Sequence, residues 1–347
     1  MIFREANAGA QLPQFRVILN SRCGRACFFC RPSGEAVATD ANQELGIDEL
    51  MTVAQTVRRF GIRDVKLTGG DPALYGPLEE AVYRLRNEAQ FQEIELISRH
   101  PRIGPGAERL AAAGVTKFNI SIDTLDPRLH HELCGVNDLP GVLDALDACL
   151  ATGQPCKVNT VVMTGINDGE IPDLITFCSQ RGVRTLKLLD VIKDLDEGTE
   201  SFARRLAIKR GTELRNLHQP LNIVADKLRA TAMSESVKTQ GGLGHPMTSL
   251  IMPGGLEVLL KDSNNGSWYA TMCRSCVFFP CHDALMALRL TSDLRLQFCL
   301  LREDIIISLA DKIDHPDVLE ATIRDALAVY ADAKFVETPH NLGVLQA

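Results

Sequence analysis

Between about residues 14 and 190 the chain alternates short apolar runs with stretches of helical period, and few folds accept that pattern. The apolar runs fall at 15–19, 63–67, 93–97, 116–122, 157–163 and 184–191. The amphipathic helical patterns lie between them at 47–60, 75–87, 105–113, 138–152 and 170–181. Such alternation makes consecutive strands parallel, with the helices as crossovers that cover the sheet. Six units of this kind form an open, partial (β/α)6 barrel of TIM type, two units short of a closed one. The expectation is therefore an α/β fold whose functional side chains gather at the C-terminal ends of the strands.

The pattern changes after residue 190. Segment 195–230 is charged and reads as helical, and Lys238-Thr-Gln-Gly-Gly-Leu-Gly-His245 reads as a loop or linker. Segment 248–271 reads as two short strands with Asn265-Gly266 as a hairpin turn, and 315–332 as a final helix. Two domains are expected, a barrel over 1–225 and a C-terminal domain over 226–347. A content of 45% hydrophobic residues supports cores of that size. The net charge is −7 and no block of Lys or Arg stands out, which argues against a nucleic-acid partner. No apolar run is long enough to cross a bilayer, so no membrane partner is expected.

Eleven cysteines without a secretion signal point to a reducing, cytoplasmic setting. Cys23, Cys27 and Cys30 directly follow the first strand, in Arg16-Val-Ile-Leu-Asn-Ser-Arg-Cys-Gly-Arg-Ala-Cys-Phe-Phe-Cys. Structural zinc usually takes four Cys or His ligands, and no fourth stands nearby. A disulfide framework suits a short secreted chain, unlike this one of 347 residues. Three thiolates can hold three irons of a 4Fe–4S cluster, which ordinarily takes four cysteines. The open iron can then bind S-adenosylmethionine (SAM). Cys273, Cys276, Cys281 and Cys299 form a second group, for which zinc and a second 4Fe–4S cluster are equally good readings in isolation. The first group favours the cluster. Cys134, Cys149, Cys156 and Cys178 read as ordinary core or surface residues.

The triplet, with aromatic Phe29 before its last cysteine, resembles the motif of the radical SAM superfamily. The resemblance implies that a 5′-deoxyadenosyl radical is made by reductive cleavage of SAM, and that Phe29 lies near the adenine. Thr68-Gly69-Gly70-Asp71-Pro72 resembles the superfamily's GGEP motif, with Asp71 for the usual Glu. It implies SAM contacts from Gly69, Gly70 and Asp71, which a backbone role would preserve. Asn119-Ile-Ser-Ile-Asp123 and Lys157-Val-Asn159 imply further SAM contacts from Ser121 and Asn159. His100, in Ser98-Arg99-His100, is either a surface histidine or a substrate contact.

Within the superfamily the chain resembles the GTP 3′,8-cyclases of molybdenum-cofactor synthesis over residues 12–192 and 271–301. That likeness puts Arg16, Lys66, Ser98, Lys157 and Arg289 at or near positions lining a substrate site. The departures argue for a different substrate. The cyclases grip their nucleotide partly with an Arg-x-Arg-x-Thr segment, and here it reads Ala287-Leu-Arg289-Leu-Thr291. Their Gly-Gly tail is replaced by Val344-Leu-Gln-Ala347, and Cys281 offers the second cluster a fourth ligand. The leading expectation is a tailoring enzyme of nucleoside natural products. It would abstract hydrogen from the sugar of an anionic nucleoside or nucleotide, as a lyase of the cytosylglucuronate decarboxylase kind does. A flavodoxin- or ferredoxin-type protein would donate the electron. The alternatives are the GTP cyclase itself, a peptide-modifying radical SAM enzyme and a non-catalytic zinc protein.

Overall fold

The structure is a computed structural model that describes residues 3–5, 12–27, 29–30, 43–191, 217–239, 243–281, 283–302 and 304–336. A short strand, β1 (Phe3–Glu5), precedes the barrel. The six expected barrel strands are present as β2 (Gln14–Ile18), β3 (Asp64–Thr68), β4 (Glu93–Ser98), β5 (Lys117–Ser121), β6 (Cys156–Val161) and β7 (Thr185–Leu189). Each pairs in parallel with the next. The crossovers carry α1 (Ile47–Arg59), α2 (Leu78–Asn87), α3 (Ala107–Ala113), α4 (Pro127–Cys134), α5 (Leu139–Ala151) and α6 (Ile171–Gln180). Helix α4 was not expected from the apolar pattern, although its ends are marked. Asp126 caps it by accepting from the Arg128 N–H at 2.8 Å, Pro127 opens it and left-handed Gly135 closes it. The outward strand residues Val17, Leu67, Leu96, Ile120, Val158 and Leu188 are buried in the main core.

The C-terminal part extends this sheet at both edges. It contains α7 (Leu221–Arg229), β8 (Ser234–Thr239), β9 (Pro246–Ile251), β10 (Glu257–Lys261), β11 (Ser267–Tyr269), β12 (Ala287–Leu290), β13 (Arg295–Gln297), β14 (Ile307–Ser308), α8 (Pro316–Ala331) and β15 (Lys334–Val336). Strand β10 lies parallel to β7, and β12 lies parallel to β2. The order is β14-β13-β12-β2-β3-β4-β5-β6-β7-β10-β9-β8, an open sheet with eight parallel strands at its centre. The position 225/226, where two domains are expected to meet, falls within α7, and strands from either side of it share this sheet. Strands β1, β15 and β11 make a separate small sheet.

Two local expectations change. The hairpin turn lies between β9 and β10 at Gly254 and Gly255, both with positive φ (88° and 87°), and not at Asn265-Gly266. Two adjacent glycines supply the left-handed backbone that a tight turn needs. Lys238 and Thr239 belong to strand β8 and not to a linker. Residues 195–216 of the expected charged helix and 240–242 of the expected loop lie outside the described residues.

Candidate active site

The cysteine loop is sewn to the end of β3 by backbone hydrogen bonds. The Gly70 N–H donates to the Asn20 carbonyl at 2.7 Å and the Asp71 N–H to the Arg22 carbonyl at 2.6 Å. The Asn20 amide donates to the Asp71 carbonyl at 2.9 Å. This approach requires the glycines. A Cβ on Gly70 would stand 2.2 Å from the Arg22 oxygen, and one on Gly69 2.8 Å from the Asn20 oxygen. Over this seam Cys23, Cys27 and Cys30 face a cavity of about 170 Å³, walled also by Phe29, Thr68, Gly69, Gly70, Ser98, Arg99 and Ser121.

Burial pushes the Cys23 thiol up to about 11, with the Asp71 carboxylate adding to the rise. Burial likewise pushes Cys27 up to about 12, against the pull of Arg99. Thiols in such surroundings ionise readily only when a metal or cation compensates them. Asn159 sits in register with Ser121 at the cavity end of β6, and its buried Oδ1 has no hydrogen-bond partner among the described residues. Three sulfurs about an open cavity, bare glycine backbone and an orphaned acceptor fit a cluster with one open iron and a bound SAM.

Asp71 and Ser98 line the same cavity, and their side chains hydrogen-bond to each other. The Asp71 carboxylate accepts from the Ser98 hydroxyl at 2.6 Å, from the Arg99 N–H at 2.9 Å and from the Ala73 N–H at 3.0 Å. Its side chain therefore ties β3 to β4, and its backbone is what meets the cysteine loop. Ser98 spends its hydroxyl on Asp71 and accepts from the His100 N–H, so it braces the SAM-side cavity. His100 accepts from the Arg102 N–H at 3.1 Å and caps the turn that follows.

Alternate strand residues point the same way, so one inward position earlier on the strands comes a second layer. Lys66 Nζ lies 2.9 Å from Glu95 Oε2. Lys157 Nζ and Asn119 Nδ2 lie 3.0 and 2.9 Å from Glu95 Oε1. Arg16 is in register with Lys66, and Lys187 with Asn159. Burial lowers Lys66 to about 8, with Glu95 resisting and Lys157 and Arg16 adding to the fall. Burial, followed by Lys157, Lys66 and Lys261, holds Lys187 well below the ordinary lysine range. Glu95 lies well below the carboxylate range because Lys66 and Lys157 together outweigh burial. Lys66 and Lys157 thus share the Glu95 carboxylate, and Lys187 lies close enough for both of them to depress it.

Arg289, expected to reach the substrate, is 1% exposed and committed within the protein. Its guanidinium donates to Asp283 Oδ1 at 3.3 Å and to the Phe298 carbonyl at 3.2 Å. Asp283 Oδ2 accepts from the Leu300 N–H at 2.6 Å, beside Cys299. The four C-terminal cysteines, Cys273, Cys276, Cys281 and Cys299, wall a single cavity with Tyr269 and Phe279. A single zinc would draw its sulfurs to about 2.3 Å from one point. Among the described residues no group of three or more His, Cys, Asp or Glu side chains is arranged to hold one ion.

Sequence reasoning missed Glu95, Arg99, Lys187 and Asp283 as site residues. Glu95 and Lys187 carried a signal: each is a lone charge between apolar neighbours in a strand covered on its outer face. Nothing in the sequence around Asp283 marks it.

Residues 17–178 match the radical SAM superfamily as a family. The chain carries a radical SAM domain. It is an enzyme of that class, which uses a 4Fe–4S cluster, SAM, a small-molecule substrate and a source of electrons. It is 27% identical over 299 residues to a probable GTP 3′,8-cyclase of Thermococcus kodakarensis, covering 86% of this chain and 88% of that protein. It is 25% identical to a probable GTP 3′,8-cyclase of Pyrococcus horikoshii over 96% of both chains. Among solved structures, SuiB of Streptococcus suis bound to S-adenosylmethionine shares the fold with a TM-score of 0.60 at 15% identity. That likeness covers 91% of this radical SAM chain and 68% of SuiB. No helix among the described residues is long and apolar enough to cross a membrane.

Proposed function

We propose that this radical SAM enzyme takes a hydrogen atom from the sugar of an anionic nucleoside or nucleotide, in the biosynthesis of a nucleoside natural product. The observation that carries the reading is the pair of buried lysines, Lys66 and Lys157, on Glu95, one residue layer below the SAM cavity. A carboxylate or phosphate there would favour the charged form of lysines that burial and mutual repulsion disfavour in the empty protein. Lys66, Lys157 and Lys187, with Arg16 beside them, would hold that anion. Cys23, Cys27 and Cys30 would hold the cluster, while Phe29, Gly69, Gly70, Ser121 and Asn159 would hold SAM. When bound and reduced by one electron, this pair supplies a 5′-deoxyadenosyl radical. Radical decarboxylation of a nucleoside uronate, a lyase reaction, is the outcome we favour.

The second reading is a GTP 3′,8-cyclase, favoured by the names of the relatives. Ala287 and the engagement of Arg289 by Asp283 weigh against it, because they remove two cations from a triphosphate grip. A second 4Fe–4S cluster on Cys273, Cys276, Cys281 and Cys299, a ferredoxin- or flavodoxin-type donor and a cytoplasmic setting belong to the same proposal.

Mass analysis of anaerobic reactions with GTP, a nucleoside monophosphate and a nucleoside uronate tests the proposal. Loss of carbon dioxide from the uronate, or another change to an anionic nucleoside's sugar, supports it. Conversion of GTP to a 3′,8-cyclised product would replace it with the second reading.

A further inference from the structure

We propose that Arg99 is a positioning residue for the cluster, donating a hydrogen bond to the Cys27 sulfur and thereby setting how easily the cluster accepts an electron. Arg99 Nη1 lies 3.2 Å from Cys27 Sγ. Its other arm, Nη2, lies 2.9 Å from Asp123 Oδ2. The guanidinium carbon stands 5.7 Å from the centre of the Phe29 ring. The Arg99 backbone is fixed too, with its N–H donating to Asp71 Oδ2 at 2.9 Å. Asp123 is in turn held by the Val161 N–H at 2.9 Å on its Oδ1. Cys27, Phe29 and Asp123, from the segments that follow β2 and β5, thus meet one planar cation that follows β4.

The chemistry follows from where that cation is held. A reduced cluster carries one more negative charge than an oxidised one, spread partly onto its thiolate ligands. Hydrogen bonds to the sulfurs, and a nearby positive charge, favour the reduced form and raise the potential. The Arg99 side chain is only 16% exposed, so water screens this interaction poorly. Asp123 pairs with the other arm of the guanidinium and works against it, offsetting part of its charge. The two residues should therefore move the potential in opposite directions. A guanidinium suits the position because its fork reaches sulfur and carboxylate together, which the single ammonium of lysine does less well. Phe29 gains from the same arrangement, since the cation near its ring restricts an aromatic side chain beside the SAM cavity.

The inference rests on the reading of Cys23, Cys27 and Cys30 as cluster ligands, and a separate experiment tests that reading. If the triple cysteine-to-alanine protein keeps its full iron content, the ligand assignment fails whatever Arg99 does. Arg99 is tested by redox titration of the anaerobically reconstituted full chain, following the paramagnetic signal that changes on adding SAM. Arg99→Gln should leave the iron content intact and make that cluster about tenfold less reduced at a fixed potential. For one electron this is a midpoint about 59 mV more negative. Arg99→Lys should fall between Gln and the natural residue, and it serves as the test if the Gln protein does not load iron. Asp123→Asn should move the midpoint upward. An unchanged midpoint in an iron-loaded Arg99 variant would overturn the proposal. So would equal shifts of one sign in the Arg99→Gln and Asp123→Asn proteins, which would mean general loosening of the site.

Discussion

The Asp283 carboxylate lies 3.3 Å from the Arg289 guanidinium, and both side chains are almost wholly buried. The pair joins the first residues after the Cys281 loop to β12, the strand that lies parallel to β2. Breaking a buried pair by removing one partner leaves an uncompensated charge and costs about 3–5 kcal/mol. Arg289→Ala should therefore lower stability by that amount in chemical denaturation and reduce the iron held by the C-terminal cysteines. A stable, fully iron-loaded Arg289→Ala protein whose sole defect is weaker substrate binding would return Arg289 to the substrate site.

The lysine layer makes a prediction about pH. Lys66 is lowered to about 8 by burial, among Glu95, Lys157 and Arg16. Below that value the ammonium is charged and attracts an anion; as pH rises through it the charge, and the attraction, are lost. Calorimetric affinity for an anionic nucleoside should fall between about pH 7.5 and 9, while affinity for its neutral parent stays level. Equal pH profiles for the two ligands would remove the lysines from anion binding.

Lys187 should show a conflict between stability and function. Burial, with Lys157, Lys66 and Lys261 close by, disfavours its charged form in the empty protein. Lys187→Met should unfold at a temperature equal to or above that of the natural protein. The same change should weaken anionic ligand binding by roughly tenfold to a hundredfold, the value of about 1.5–3 kcal/mol for a charged hydrogen bond. A marked loss of stability with unchanged affinity would assign Lys187 a structural role.

Gly70 tests the seam beneath the cysteines. A Cβ there would meet the Arg22 carbonyl at 2.2 Å, a backbone atom that cannot swing away. Gly70→Ala should displace the cysteine loop, cost about 1–3 kcal/mol as overpacking does, and lower the iron held at the N-terminal site. Full iron loading in this variant would contradict the close approach.

Much of this was legible in the sequence because it rests on local rules. Six apolar runs fixed β2 to β7, since a parallel strand covered on its outer face must be apolar there. The cysteine spacing and the Gly69-Gly70 turn announced the SAM end of the barrel, because both depend on short-range chain geometry. What stayed hidden depends on contacts across long separations. Strand β12 pairs in parallel with β2 across most of the chain, and no periodicity in Ala287-Leu-Arg-Leu predicts that partner. Asp283 and Arg289 are six residues apart, yet whether an arginine faces a ligand or a carboxylate is decided by tertiary packing. Arg99 stood in plain view beside Ser98, but its meeting with Cys27 brings together residues 72 apart.

The most direct test of the account is the dependence of SAM cleavage on substrate charge. The measurement is 5′-deoxyadenosine formation by the anaerobically reconstituted, reduced enzyme, with nucleoside uronates or monophosphates set beside their uncharged parent nucleosides. The buried lysines at Glu95 predict that at least one anionic compound stimulates cleavage at least tenfold more than its parent. Stimulation by neutral nucleosides equal to that by their anions would contradict it.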